Sequence, residues 1–270
     1  MSRNQTGLAK YRRGRKMFVD IPYIQMVTNN LLIYFDANDY NSYSGYKYTI
    51  PKWLNIGTGG SMYNADLSGN IKPVIDAGWK IKSFRFFGYF LETRGDFDKH
   101  NYMQFLRPTA MCDDFTYCAW INTFSGISNV LVNSNVMYII SSYTTSINKY
   151  FGIGINNNNK LSYLDSSPAG TNITLNSTQS ITNGEWTFVA VTRNKINGQV
   201  VLYINGIADT TGTCNTGTLN NADYMLMGST TYSPGYSFAG NIGTILGYTS
   251  ILSADDILVN FEKLRRTYQI

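Results

Sequence analysis

The chain has 270 residues, 43% hydrophobic and only 14% charged, which suits one large β-sandwich or barrel domain and argues against a helix-rich protein. Its 21 Tyr and 14 Phe favour strands, and its many Asn and Gly favour turns. The net charge of +5 is uneven: Arg3, Lys10, Arg12, Arg13, Arg15 and Lys16 put six positive charges in the first sixteen residues, where no acid stands, and the remainder is close to neutral.

In chain order, residues 1–27 read as a basic N-terminal arm and lead-in, and residues 28–270 as the folded domain. "NNLLIYFDANDYNSYSG" contains a strand from Leu31 to Phe35 that ends in an Asp/Asn turn. Tyr46 to Gly78, with "GTGG" and "LSGN", reads as a loop-rich connection. Strands are expected at Ile81 to Leu91, Gln104 to Leu106 and Phe115 to Phe124, and another in "NVMYIISSYTT". "YFGIGINNNNKLSYLD" reads as a hairpin turning at Asn156 to Asn159, since Asn tolerates the left-handed backbone such turns need.

"GEWTFVAVTRNKINGQVVLYINGIADTTG", from Gly184 to Gly212, predicts two alternating strands, a tight Asn-Gly turn and a third strand. Trp186, Phe188 and Ala190 face one way and Thr187, Val189 and Val191 the other. Both sides are substantially apolar, which places this strand inside a two-layer sandwich with both faces covered. Near the C-terminus, Ser253 as N-cap, early Asp255 and Asp256, apolar Ile257, Leu258, Phe261 and Leu264, and late Lys263, Arg265 and Arg266 predict a helix at about 254–266, docked by its apolar stripe.

Three stretches together resemble the laminin-G-like, concanavalin A-like jelly-roll superfamily. They are "FTYCAWINT" from Phe115, "WTFVAVT" from Trp186 with the following "GQVVLYINGI", and "FAGNI" from Phe238 followed by Tyr248 and "LSADDI". The "LLIYFDANDYNSYSG" stretch is similar to the opening strand of versions found in phage and giant-virus particle proteins. The resemblance spans roughly residues 30 to 265. It implies an all-β, two-sheet antiparallel jelly-roll sandwich with a short C-terminal helix and an extended basic N-terminal arm. Many relatives carry an acidic pair after the Gly-x-Ile of the third stretch. Gly243 and Thr244 stand there in this chain.

The superfamily includes glucanases, whose retaining members need two carboxyl groups roughly 5–5.5 Å apart. The nearest acid clusters are Glu92 with Asp96 and Asp98 in a Gly-containing turn, and the adjacent Asp113 and Asp114, so no catalysis is expected. His100 is the single histidine and no Gly-x-Ser-x-Gly elbow accompanies it. Cys112, Cys118 and Cys214 are odd in number and lack metal spacing, so they read as reduced, mostly buried thiols. Neither an apolar run of membrane-spanning length nor a secretory signal is read in the sequence. Arg94-Gly95-Asp96 is taken as a turn, and the sequons at Asn4, Asn172 and Asn176 carry little weight without a secretory route.

Asp36, Asn38 and Asp39 form the best cluster of hard oxygen ligands for calcium, the one cofactor considered, but "DANDY" is also ordinary turn chemistry, which is the favoured reading. Tyr40, Tyr43, Tyr46 and Trp53, with Tyr48 and Tyr63, offer an aromatic surface for glycans or for a protein partner. Two functions follow as expectations. One is a non-enzymatic virion or particle subunit, of minor capsid, decoration or cement type, whose arm docks on a neighbouring protein; contact of the arm with nucleic acid is the less favoured use. The other is a carbohydrate-binding lectin-like module.

Overall fold

The computed structural model describes residues 24–43, 52–68, 72–75, 81–87, 102–124, 136–142, 150–166, 172–182, 184–219, 223–229 and 237–270. The six basic arm residues Arg3, Lys10, Arg12, Arg13, Arg15 and Lys16 lie outside them, as do Tyr46, His100 and the Arg94-Gly95-Asp96 run. In order, the described strands are β1 Leu31–Asp36, β2 Lys52–Trp53, β3 Ala65–Ser68, β4 Lys72–Ile75, β5 Lys82–Phe87, β6 Tyr102–Leu106, β7 Phe115–Thr123 and β8 Val136–Ser141. Then come β9 Phe151–Asn156, β10 Lys160–Ser166, β11 Asn172–Ser180, β12 Trp186–Arg193, β13 Gln199–Ile204, β14 Ile207–Thr213, β15 Tyr224–Met227 and β16 Ala239–Tyr248, and helix α1, Ala254–Tyr268, follows.

The strands form two sheets. The first runs β14-β13-β12-β7-β16-β5-β4, with β1 also paired to β16; the second runs β11-β10-β9-β8-β15-β6-β3-β2. The strand pairings are antiparallel, as in β7 with β12, where Trp186 lies opposite Asn122 and Arg193 opposite Phe115. This is the two-sheet antiparallel jelly-roll sandwich with a short C-terminal helix that the sequence implied.

Alternation along β7 and β12 sorts side chains between two cores. Phe115, Tyr117, Ala119, Ile121, Val189 and Val191 pack between the sheets. Cys118, Trp120, Trp186, Phe188 and Ala190 point the other way, into a second apolar cluster closed by Ile257, Phe261, Leu264 and Tyr268 of α1. Both faces of the first sheet are thus covered, and all eight residues of β12 are buried.

The helix begins as its sequence dictates: the Ser253 side chain accepts from Asp256 N–H, and the Asp256 carboxylate reaches back to the N-cap backbone. It runs to Tyr268, two residues past the expected end. The docking stripe also differs, because Leu258 is 41% exposed while the polar Asn260 is fully buried. Asn260 Oδ1 accepts from Val27 N–H at 3.0 Å and its Nδ2 donates to Tyr248 Oη at 3.0 Å, so the helix holds the backbone just ahead of β1.

The expectation of a loop-rich connection over 46–78 is corrected by β2, β3 and β4. These strands are two to four residues long, too short to show a period, and β2 and β4 are sheet edges, where partner backbone decides the conformation. Pro73 sits in edge strand β4, where a missing N–H is tolerated. Edge strand β11 packs on the core only through Ile173 and Leu175 in its first half. It is held by Asp209 of β14, whose Oδ2 accepts from Thr178 N–H at 2.5 Å and whose Oδ1 accepts from Gln179 N–H at 3.0 Å.

Partial burial pushes the Asp209 carboxyl up, but the donors Thr210, Thr178 and Gln179 outweigh it and hold the group below its ordinary value. A lowered pKa makes its contribution present at neutral pH and lost as pH falls through the folded value. Asp209→Ala is expected to speed amide exchange at Thr178 and Gln179 by roughly 10-fold or more while leaving β7 and β12 protected; unchanged exchange at both amides would show that the clasp does not hold the edge.

The turns agree with their sequences. Asn159 has φ 58° and Asn205 and Gly206 have φ 50° and 81°, the left-handed values expected of the Asn run and the Asn-Gly turn. All three cysteines are free and buried, and burial pushes the Cys214 thiol up to about 12.

Candidate binding cleft

The residues singled out from the sequence are separated by the fold. Tyr40 is 72% exposed, but Tyr43 is 8% exposed and Trp53 is fully buried. This corrects the expectation of a shared aromatic surface. Tyr43, on the turn after β1, meets Phe84 edge-on at 4.9 Å, and Trp53 of β2 packs on Phe35 and Phe84 at 5.3 and 4.7 Å, so both rings belong to the inter-sheet core.

Asp36, Asn38 and Asp39 do come together, as a turn. Asp36 Oδ1 accepts from Asn38 N–H, its Oδ2 accepts from Tyr34 Oη, and Asp39 Oδ1 accepts from Asn41 N–H. Asn38 exchanges two hydrogen bonds with the Lys82 backbone, fastening the turn to β5. The turn's own donors thus already bond the oxygens of Asp36 and Asp39, and burial pushes the Asp36 carboxyl up. Millimolar calcium is therefore expected to leave the melting temperature unchanged; a clear rise would assign this turn a cation.

Asp113 and Asp114 also build structure. Asp113 pairs with Lys195 Nζ at 2.5 Å and accepts from Thr218, and Asp114 accepts from Lys195 N–H at 2.8 Å. Among the described residues no group of three His, Cys, Asp or Glu could hold a metal, and no helix is long and apolar enough to cross a membrane.

A cleft of ≈ 490 Å³ beside the start of β12 has no local signal in the sequence. Its walls include Gln179, Thr182, Glu185, Trp186, Asn205 and Tyr268. Register builds it: Asn122 lies opposite Trp186, and its Nδ2 donates to Gly184 O at 2.9 Å, pinning the turn that carries Glu185. Gly184 has φ 84°, a left-handed backbone that favours glycine. Across the cleft, Asn205 Oδ1 accepts from Phe188 N–H, and α1 ends with Gln269 in the left-handed conformation.

Trp186 is 8% exposed and packs on Tyr268 with ring centroids 4.7 Å apart. Its indole N–H meets no acceptor, an omission that costs roughly 1–3 kcal/mol when a donor is buried. Trp53 and Trp120 have the same orphaned donor, but their rings are fully enclosed while Trp186 borders open space. Glu185 is the lone carboxylate side chain among the described lining residues, where a retaining glycosidase requires two. What the cleft can do chemically is accept and donate hydrogen bonds beside an aromatic wall.

These features define a lectin-type jelly roll with a polar cleft at one end. The model of the Concanavalin A-like lectin/glucanases superfamily matches residues 97–258, more than half of the chain, and the chain belongs to that superfamily. A search of curated protein sequences finds no match. Among solved structures, the chain is similar to the binding domain of Paraclostridial Mosquitocidal Protein 1 at 13% identity and TM-score 0.63, covering 86% of this chain and 52% of that one. It is also similar to the binding domain of botulinum neurotoxin DC, solved in complex with SialylT, at 16% identity and TM-score 0.60, covering 88% and 52%. That same toxin domain, solved with rat synaptotagmin II, matches at 16% identity and TM-score 0.59, covering 87% and 52%. The chain thus spans about half the length of these structures, and at such identities the likeness is one of fold.

Proposed function

We propose that this protein is a non-catalytic recognition module that binds glycans. The observation that carries this reading is the cleft: an aromatic wall of Trp186 and Tyr268 with the exposed side chains of Gln179, Ser180 and Thr182 around it, and a lone carboxylate side chain, Glu185. Saccharides present many hydroxyls that both donate and accept, and a concave site with a few convergent polar groups suits them. The fold's likeness to toxin binding domains, one of them solved both in complex with SialylT and in complex with rat synaptotagmin II, supports recognition rather than turnover. A glycan array probed with the full chain tests the reading: a restricted set of hits supports it, and an array without hits overturns it.

A second reading places the module on a larger particle as a decoration or minor capsid subunit. Its support is the concentration of six positive charges in the first sixteen residues ahead of a nearly neutral body, a distribution suited to docking on an acidic neighbour. Deletion of residues 1–20 is then expected to leave the domain's melting temperature intact and to abolish its recovery with the particle. Recovery of the truncated chain at full level would refute the arm's role.

A further inference from the structure

We infer that the cleft beside Trp186 selects uncharged saccharides and disfavours those carrying an acidic group. This rests on the glycan-binding reading and adds the substrate class.

Two independent features set the sign of the field in the cleft. Glu185, on the turn before β12, is exposed, and it is the one described lining residue whose side chain carries a formal charge. From the other side α1 presents its C-terminal end, since Tyr268, Gln269 and Ile270 all line the space. The last carbonyls of a 15-residue helix carry the negative end of its dipole. Arg265 is held by Glu262 at 3.0 Å, and neither it nor Arg266 lines the cleft.

Acidic sugars are ordinarily held by arginine, lysine or a helix N-terminus, and the described lining residues supply none of these. They do supply what neutral hydroxyls need: acceptors on Glu185 and Asn205, and donor–acceptor groups on Gln179, Ser180 and Thr182. The carboxylate of Glu185 can accept two hydroxyls at once, while a sialyl carboxylate brought to the same place meets like charge with no counter-ion among the described lining residues.

The test is an array of matched neutral and sialylated oligosaccharides, read with the full chain and with Glu185→Lys and Trp186→Phe. Glu185 is exposed and Phe keeps an aromatic ring in the wall, so melting temperatures check that both variants fold. Neutral members are expected to bind at least about 10-fold more tightly than their sialylated partners. Glu185→Lys is expected to narrow or invert that ratio, and Trp186→Phe to weaken neutral binding. Equal or tighter binding of the sialylated members, or neutral binding indifferent to both substitutions, overturns the inference while leaving the glycan reading standing. Absence of binding to every member overturns the two together.

Discussion

Arg193→Met is expected to cost roughly 3–5 kcal/mol of stability at neutral pH, because it strands a carboxylate in the core. Arg193 ends β12 in one sheet and Asp165 stands on β10 in the other, 3.8 Å apart between Nε and Oδ2, and both side chains are wholly buried. The guanidinium also donates to the backbone oxygens of Asp113, Asn215 and Gly217, each at 2.8 Å. Asp165 in turn accepts from Asn215 N–H and Nδ2 and from Tyr163 Oη. One ion pair therefore bolts the two sheets and the 214–217 loop together.

Burial pushes the Asp165 carboxyl up, and the donors from Asn215 and Tyr163 and the charge of Arg193 only partly offset it. Without the guanidinium it rises further. A carboxyl whose folded pKa lies above its unfolded one binds protons preferentially in the folded state over that interval, so its charge burdens the fold less as pH falls. The deficit of Arg193→Met should accordingly shrink as pH is lowered from neutral toward the raised pKa. Denaturant unfolding at a series of pH values checks both claims; a deficit below about 1 kcal/mol, near the ordinary worth of an exposed pair, would show that the network holds nothing.

Trp120→Ala is expected to cost a comparable amount, roughly 3–5 kcal/mol, and to loosen α1. Trp120 is fully buried on the outer face of β7. Its ring stacks on Tyr268 at 4.3 Å and 12° and on Phe261 at 5.8 Å and 18°. Truncation removes the surface on which the last two turns of the helix lie. Tyr268 fits so closely that a methyl group at Gly243 would clash with its Oη and ring. That contact gives a physical reason for glycine at this position: the space is taken by the helix. Urea unfolding with helix amides followed by hydrogen exchange should show α1 exchanging faster than the central strands in Trp120→Ala. A loss under about 1 kcal/mol would mean that the helix is not anchored through this ring.

What the sequence disclosed followed from periodicity and end signals. In β12 alternate residues are assignable to opposite faces from the sequence, since the pleat has a period of two. Ser253 with Asp256, and Asn205 with Gly206, announced a helix start and a hairpin turn through chemistry local to a few residues. Other features had no local signal. β2, β4 and β11 are edge strands whose pairing comes from neighbours, and the short segments around Tyr43 and Trp53 offer no face to assign, which is why their burial has no sequence signal. Asn260 breaks the helical apolar stripe because its amide is matched by Val27 and Tyr248, far away in the chain. The cleft draws on residues near 81, 122, 179–187, 204 and 268–270, joined only by strand register and helix docking. Trp186 was the single cue within it, and alternation assigned that ring to a face without revealing the space beside it.

The central claim is recognition without turnover. Saturation-transfer NMR of an array-selected oligosaccharide mixed with the full chain tests it most directly. The account predicts transfer from the protein to the sugar protons, lost in Trp186→Phe, with the oligosaccharide's anomeric signals unchanged however long the mixture stands. New reducing-end signals growing with time would contradict it.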